Sequence, residues 1–343
     1  MNCRSFIQTG MMKFIKWFAL VVFLLIILYF LGPRPSSPVY DEKLPDIPSH
    51  PDSLESFISY KETLQKIKPD NEARIVWFND SLKEKTDYAV VYLHGFSASQ
   101  EEGDPVHLYF AKYFGCNLFL SRLAEHGVDT SDAMATLTAD KLWNSAKEAY
   151  AIGKQIGRKV ILVGTSTGGT LALKLAAEYP DIAGLILLSP NIAINDPLAW
   201  TVNNHWGLQI ARLVKGKYNV SEDTQALVNK YWYKKYRMEA VSQLQELLET
   251  TMRASLFEKV KQPLLLLYYF RDEENQDKTV KVSAMLRMFR QLGTADGLKR
   301  EVAIPGAGDH VIGSYITSKD VETVEKECIR FGNEMLRLPV SHP

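Results

Sequence analysis

The 343-residue sequence is short of everything that marks a metalloprotein, a disulfide scaffold or a nucleic-acid binder. Only three cysteines occur, Cys3, Cys116 and Cys328, far apart and without a CxxC pair. That leaves no disulfide framework, no zinc motif and no dithiol redox centre. Cys3 precedes a long apolar run, so only Cys116 and Cys328 are left to pair, and both read as small buried hydrophobes. The seven histidines include no HExxH, and no spacing among them suggests a metal. Forty basic residues balance forty acidic ones, so the basic excess that holds a phosphate backbone is missing and no nucleic-acid partner is expected. No internal repeat is visible. No cofactor and no metal are expected.

What the chain does have begins at the N-terminus. Trp17–Leu31 is an uninterrupted apolar run of 15 residues, and Phe14, Ile15 and Gly32 extend the segment to 19. That approaches the ~20 residues a helix needs to cross a bilayer. Trp17 and Tyr29 stand near its ends, where aromatic residues favour the membrane interface. Residues 1–32 therefore read as a transmembrane anchor or a signal segment. The "GPRPSSP" that follows offers no small-residue cleavage site, which favours the anchor. Arg4, Lys13 and Lys16 precede the run and Arg34 alone follows closely, so the N-terminus is expected in the cytosol and the rest on the non-cytoplasmic side. Secretion after cleavage is the alternative. Residues 33–70 form a Pro-rich linker, with Pro33, Pro35, Pro38, Pro45, Pro48 and Pro51, followed by a short helix.

From residue 71 to 343 short apolar runs alternate with amphipathic patterns. The strand-like runs are "ARIVWF", "YAVVYLHG", "NLFLSR", "KVILVG", "AGLILLSP", "PLLLLYYF" and "LKREVAIPG". Helical patterns lie between them, one of them led by Thr138 as an expected N-cap. This alternation predicts an α/β domain with a mostly parallel central sheet flanked by helices. Residues 191–257 break the pattern. They are rich in Trp, Tyr and Leu, read as several helices, and are expected to form an inserted helical cap.

The chemistry concentrates in "KVILVGTSTGGTLALKLAAEYP", Lys159–Pro180. A phosphate-binding P-loop needs GxxxxGK[ST], and no lysine stands at that place. A dinucleotide fingerprint needs GxGxxG, which Gly164, Gly168 and Gly169 do not satisfy. Gly164-Thr165-Ser166-Thr167-Gly168 fits GxSxG, a sharp strand-to-helix turn that exposes a nucleophilic serine at a helix N-terminus. A serine needs a base, and His310 in "IPGAGDHVIGS" follows the last strand. "FRDEENQDKTVKV" supplies the carboxylates Asp272, Glu273, Glu274 and Asp277 before it.

In this order the motifs resemble the α/β-hydrolase superfamily, in its capped serine carboxylesterase and monoacylglycerol-lipase-like branch. The resemblance covers about four fifths of the chain, from residue 74 onward. It implies the α/β-hydrolase fold and a Ser166–His310–Asp277 triad that forms an acyl-enzyme. Asp277 is chosen because "DKTVKV" resembles the family's D-x-V-V stretch; Asp272, nearer the strand end, is the alternative. "YLHGFSAS" resembles the oxyanion loop, which makes the backbone N–H groups of Phe96 and Thr167 the oxyanion donors. His94 and His126 are expected to be structural. The implied activity is hydrolysis of a carboxylic ester, hydrophobic acyl esters or monoacylglycerols being favoured by the aromatic cap residues. The same triad also serves a peptidase or amidase. A catalytically inactive, membrane-tethered binding protein is the reading from another class.

Overall fold

The computed structural model describes residues 3–341. The first helix, α1, runs Cys3–Phe30, and its stretch Met11–Phe30 is long and apolar enough to cross a membrane, with none of that stretch buried against the protein. Helix α2, Pro51–Thr63, starts with proline in its first turn, where the missing N–H costs no helix hydrogen bond. The chain between these helices has no regular structure, yet it is fastened to the domain. The Trp143 indole donates to the Asp41 carbonyl (2.7 Å) and the Tyr179 hydroxyl to the Glu42 carbonyl (2.6 Å). Lys147 reaches the Lys43 carbonyl at 3.0 Å. The prolines stiffen a strap rather than a free spacer.

The strands are β1 Arg74–Val76, β2 Thr86–Leu93, β3 Asn117–Leu120, β4 Gly157–Thr165 and β5 Gly184–Leu188, then β6 Tyr218–Val220, β7 Lys235–Arg237, β8 Leu264–Tyr268 and β9 Lys299–Ala303. Seven of them form one sheet in the order β1-β3-β2-β4-β5-β8-β9, and every pairing in it is parallel except β1 with β3. The helices that follow strands are α3 Val106–Tyr113, α4 Ala139–Ile156, α5 Thr167–Glu178, α10 Val282–Gln291 and α11 Val321–Phe331. Thr138 does cap α4: its side chain accepts from the Lys141 N–H.

Strand alternation divides the core in two. Val160 and Leu162 of β4 face one cluster, which holds Leu142 and Trp143 of α4, Leu171 and Leu175 of α5, and Met285 of α10. Ile161 and Val163 face the other, with Phe110 of α3 and Val324 and Phe331 of α11. Both faces of β4 are thus covered, which is why it reads as a continuous apolar run rather than an alternating one. Cys116 and Cys328 lie buried and unpaired in the second cluster.

Between β5 and β8 the chain leaves the sheet. It forms α6 Gly207–Lys215, α7 Ala226–Tyr231, α8 Met238–Thr251 and α9 Ala254–Phe257, together with an antiparallel ribbon of β6 and β7. The sequence pattern pointed to helices alone here; three-residue strands are too short to leave a period-2 signature.

Candidate active site

The site is built where β4 ends and α5 begins. Ser166 is the residue before α5 and has φ 51° and ψ −115°, a left-handed backbone that an L-residue rarely adopts. Such strain costs on the order of 1–3 kcal/mol and persists only where the surroundings enforce it. They do so here. The Ser166 N–H donates to the Leu188 carbonyl of β5 (3.0 Å), and its carbonyl accepts from Asn191 (2.9 Å) and Thr170 (3.2 Å). The flanking glycines have a measurable reason. A Cβ on Gly164 would fall 2.6 Å from the Gly168 backbone, and one on Gly168 would fall 1.8 Å from the Leu93 carbonyl oxygen. Only glycine lets α5 start this close to β2. Ser166 is 5% exposed, and among the described residues its hydroxyl makes no hydrogen bond.

His310 lies in the loop after β9. Its Nδ1 is 2.6 Å from Asp277 Oδ2. Asp277 is 1% exposed, and its other oxygen accepts the backbone N–H groups of Thr279 (2.8 Å) and Val280 (3.0 Å). The carboxylate is therefore gripped from behind and presents one oxygen to the imidazole. With Nδ1–H donating to Asp277, Nε2 carries the lone pair. That nitrogen is buried and has no hydrogen-bond partner. Burial works against the imidazolium, but Asp277 beside it, together with Glu102 and Asp309, outweighs burial and holds His310 above the ordinary histidine value.

Asp272 is placed differently. It is exposed, and its oxygens accept from Glu274 N, Asn275 N and Asn275 Nδ2, all within its own loop. The loop closes through a bridge between Phe270 and Gln276, after which the Asp277 N–H returns to the Tyr269 carbonyl (3.2 Å). The residues between strand end and Asp277 thus form a side excursion, and Asp272 tethers its tip.

The N–H groups of Phe96 and Thr167 receive no acceptor among the described residues. Phe96 follows β2 in a turn whose next residue, Ser97, has φ 65°. His94 is a strut of this turn. The Leu123 N–H donates to its Nε2 (3.0 Å), which places the proton on Nδ1, and Nδ1 donates to the Gly95 carbonyl (2.9 Å). Burial and the neighbouring His126 hold its pKa well below the usual value, so it stays neutral. His126 packs edge-on against His94 and Phe96 at centroid distances of 5.0 and 5.8 Å, and burial lowers it to about 4. His107 is likewise buried, bonded to the Gln100 carbonyl at 2.9 Å. All three act as structural groups.

Glu102 escaped the sequence reading. Its carboxylate accepts from the Gly95 N–H and from the Tyr92 hydroxyl (3.4 Å), and Tyr92 in turn reaches Thr165 Oγ1 at 3.0 Å. One buried carboxylate thus links the turn that carries Phe96 to the residue before Ser166. Burial pushes Glu102 up to about 7. The only sequence signal was an acidic pair inside "SASQEEGDP", which normally marks a solvated turn.

The "YWYKKY" aromatics pack against the loops around the site. Tyr231 bonds Asp70 (2.6 Å), Tyr233 bonds the Val128 carbonyl (2.8 Å), and Tyr236 stands edge-on to Phe96 at 5.4 Å.

A family model described as "Hydrolase_4: Serine aminopeptidase, S33" matches residues 139–298, a span that holds Ser166 and Asp277 but neither Phe96 nor His310. A thermostable monoacylglycerol lipase from Bacillus sp. (strain H-257) is 34% identical over 108 residues, which is 32% of this chain and 42% of that lipase. The match thus spans less than half of the relative's length. Among solved structures, the metagenome-derived lipolytic enzymes LipS and LipT align with a TM-score of 0.61 and 18% identity, over 79% of this chain and 99% of that one. Est1E from Butyrivibrio proteoclasticus aligns at 0.54 and 18%, over 79% and 98%. The Paleococcus ferrophilus monoacylglycerol lipase aligns at 0.52 and 14%, over 76% and 99%. With the parallel sheet and the strand–Ser–helix turn, these likenesses establish the α/β-hydrolase fold for this chain. Over the aligned 108 residues its sequence is similar to the Bacillus monoacylglycerol lipase.

Proposed function

We propose that the chain is a serine hydrolase that cleaves carboxylic esters through Ser166, His310 and Asp277. The observation that carries this reading is the His310 imidazole, bound at Nδ1 to a buried carboxylate and left with an unpartnered Nε2. In the proposed reaction His310 Nε2 takes the Ser166 proton as the serine oxygen attacks the ester carbonyl. The oxyanion is held by the Phe96 and Thr167 N–H groups, which two preorganised donors can stabilise by several kcal/mol. His310 then hands its proton to the departing alcohol, leaving an acyl-Ser166 ester. Water, deprotonated by His310, hydrolyses that ester and restores the serine. Residues 191–257 serve as a cap over the site. Support for hydrophobic acyl esters or monoacylglycerols comes from the Bacillus relative's printed activity and the apolar character of the cap. The aminopeptidase description of the matching family model favours an amide substrate as the second reading. Ser166→Ala should abolish turnover of a p-nitrophenyl ester while leaving the thermal transition in place; substantial residual turnover removes Ser166 from the role. A parallel panel of esters and aminoacyl amides separates the two substrate classes.

α1 is read as a retained single-pass anchor with the hydrolase domain on the non-cytoplasmic side. Its last turn, at Leu28, and Gly32 just beyond it accept hydrogen bonds from the domain, which favours retention over cleavage. Intact mass of the membrane-bound form should include α1; a soluble form beginning after residue 32 would mean a cleaved signal.

A further inference from the structure

The apolar stretch "LAWTVNNHWGLQI" docks on the end of α1. The Trp206 indole N–H donates to the Leu28 carbonyl (2.9 Å) and its backbone N–H to the Pro33 carbonyl (3.0 Å). His205 Nδ1 donates to the Gly32 carbonyl (2.7 Å), and its ring stands 5.3 Å from Tyr29 and 5.5 Å from Phe30. The indole lies so close over Gly32 that a Cβ there would fall 2.1 Å from it. The partner of this stretch is therefore the last turn of α1 itself, not only the linker beyond it.

Around that attachment several large apolar side chains are exposed. Leu198, Trp200, Ile210, Leu213 and Val214 are 66%, 59%, 57%, 87% and 75% exposed. Large exposed hydrophobes scattered singly need no explanation, but a group does. These five fall within one short stretch of chain, on both sides of the two residues that hold α1. Leu198, Ile210 and Val214 also line an apolar cavity with Val202 and Met238. The cations of α6 are held by carboxylates, Arg212 by Glu239 and Lys215 by Asp196 (3.3 Å), so α6 adds little unpaired charge beside its apolar side chains.

We infer that this face rests in the interfacial layer of the lipid bilayer from which α1 emerges. The inference rests on the reading of α1 as a membrane span. A spanning helix puts its last turn at headgroup level, and a segment hydrogen-bonded to that turn lies at the same depth. Indole side chains favour that depth, and an amphipathic helix lies there with its apolar face in the headgroup–acyl boundary. The domain then has two membrane attachments, α1 and the 198–214 face, which together fix its tilt. The segment leading into that face is tied to the candidate site. The Asn195 N–H donates to the Thr279 carbonyl (2.9 Å) and the Lys281 N–H to the Ala193 carbonyl (2.9 Å), two to four residues from Asp277. A lipid-borne ester would thus meet the cap at the bilayer surface.

The test uses the full-length chain with Cys3→Ser, reconstituted in phosphatidylcholine vesicles. A bimane label is placed through Leu213→Cys on the cap face, Val22→Cys in α1 or Leu82→Cys on a remote exposed loop; Cys116 and Cys328 are buried. Vesicles carry phosphatidylcholine with a nitroxide either near the headgroup or near the chain end. The expected result is that the headgroup-proximal nitroxide quenches the Leu213→Cys label about twofold more than the Leu82→Cys label, while the chain-end nitroxide quenches Val22→Cys. If Val22→Cys is quenched and Leu213→Cys behaves like Leu82→Cys, the cap face is not in the bilayer and the inference falls alone. If Val22→Cys is not quenched, the anchor reading fails and the inference falls with it. Shielding of Leu213→Cys that depends on protein density rather than on nitroxide would assign the face to a second copy and overturn the lipid assignment.

Discussion

Asp277→Asn isolates the part of the site on which the proposed chemistry depends. Asp277 Oδ1 accepts two backbone N–H groups, from Thr279 and Val280, so an asparagine must keep its carbonyl oxygen there. Its NH2 then points at His310 Nδ1, where the wild type has Oδ2 at 2.6 Å. Two donors cannot face each other, so Nδ1 must give up its hydrogen and Nε2 must carry it. An Nε2–H cannot accept the serine proton. The backbone grip holds the side chain in place, so the effect falls on the tautomer rather than on folding. Loss of the correct tautomer costs about 10³–10⁴ in kcat, or about 4–5 kcal/mol of transition-state stabilisation. Asp272→Asn removes a charge from an exposed loop tip and should change kcat by less than about threefold. Stopped-flow hydrolysis of a p-nitrophenyl ester by the wild type and both variants, with circular dichroism to confirm folding, decides the matter. An Asp277→Asn rate within tenfold of wild type, or an equal loss in Asp272→Asn, would refute the reasoning.

Gly168→Ala places a Cβ 1.8 Å from the Leu93 carbonyl oxygen, a backbone atom that cannot swing aside. It should lower stability by about 1–3 kcal/mol and slow acylation by about 10² as the turn shifts; thermal melts and acylation rates would show both, and wild-type acylation would contradict the packing argument. Glu102→Gln tests the buried carboxylate. Its folded pKa is raised to about 7, so its stabilising contribution is complete below the ordinary carboxylate range and is lost as pH rises through 7. Wild type should therefore lose about 3 kcal/mol relative to Glu102→Gln between acid and alkaline pH, and parallel pH–stability curves would refute that. Because Glu102 is among the groups that raise His310, the acid limb of kcat/KM should lie above the ordinary histidine pKa in wild type and move to lower pH in Glu102→Gln.

The fold was readable because its central strands are buried on both faces and its helices on one. "KVILVG" and "PLLLLYYF" could be little else once flanked by amphipathic patterns, and Thr138 marked the start of α4 by chemistry alone. The Ser166 turn was legible because its steric demands fix the spacing of the glycines. Asp277, the proposed acid, is suggested in the sequence only through the resemblance of "DKTVKV" to a family pattern, since the closed loop of Phe270–Gln276 separates it from the strand end. Glu102 was not legible, because nothing local distinguishes a carboxylate that folds inward under a turn from one that stays in water. The strap of residues 33–51 was read as a spacer for a related reason: its anchors, Trp143, Lys147 and Tyr179, lie over a hundred positions away in sequence.

The most direct test of the central claim is labelling with a fluorophosphonate, followed by mass mapping of the adduct. The account predicts a stoichiometric phosphonyl ester on Ser166, formed at a rate that falls as His310 is protonated and absent in Ser166→Ala. An adduct on another residue, equal labelling of Ser166→Ala, or no labelling of the folded wild type would contradict it.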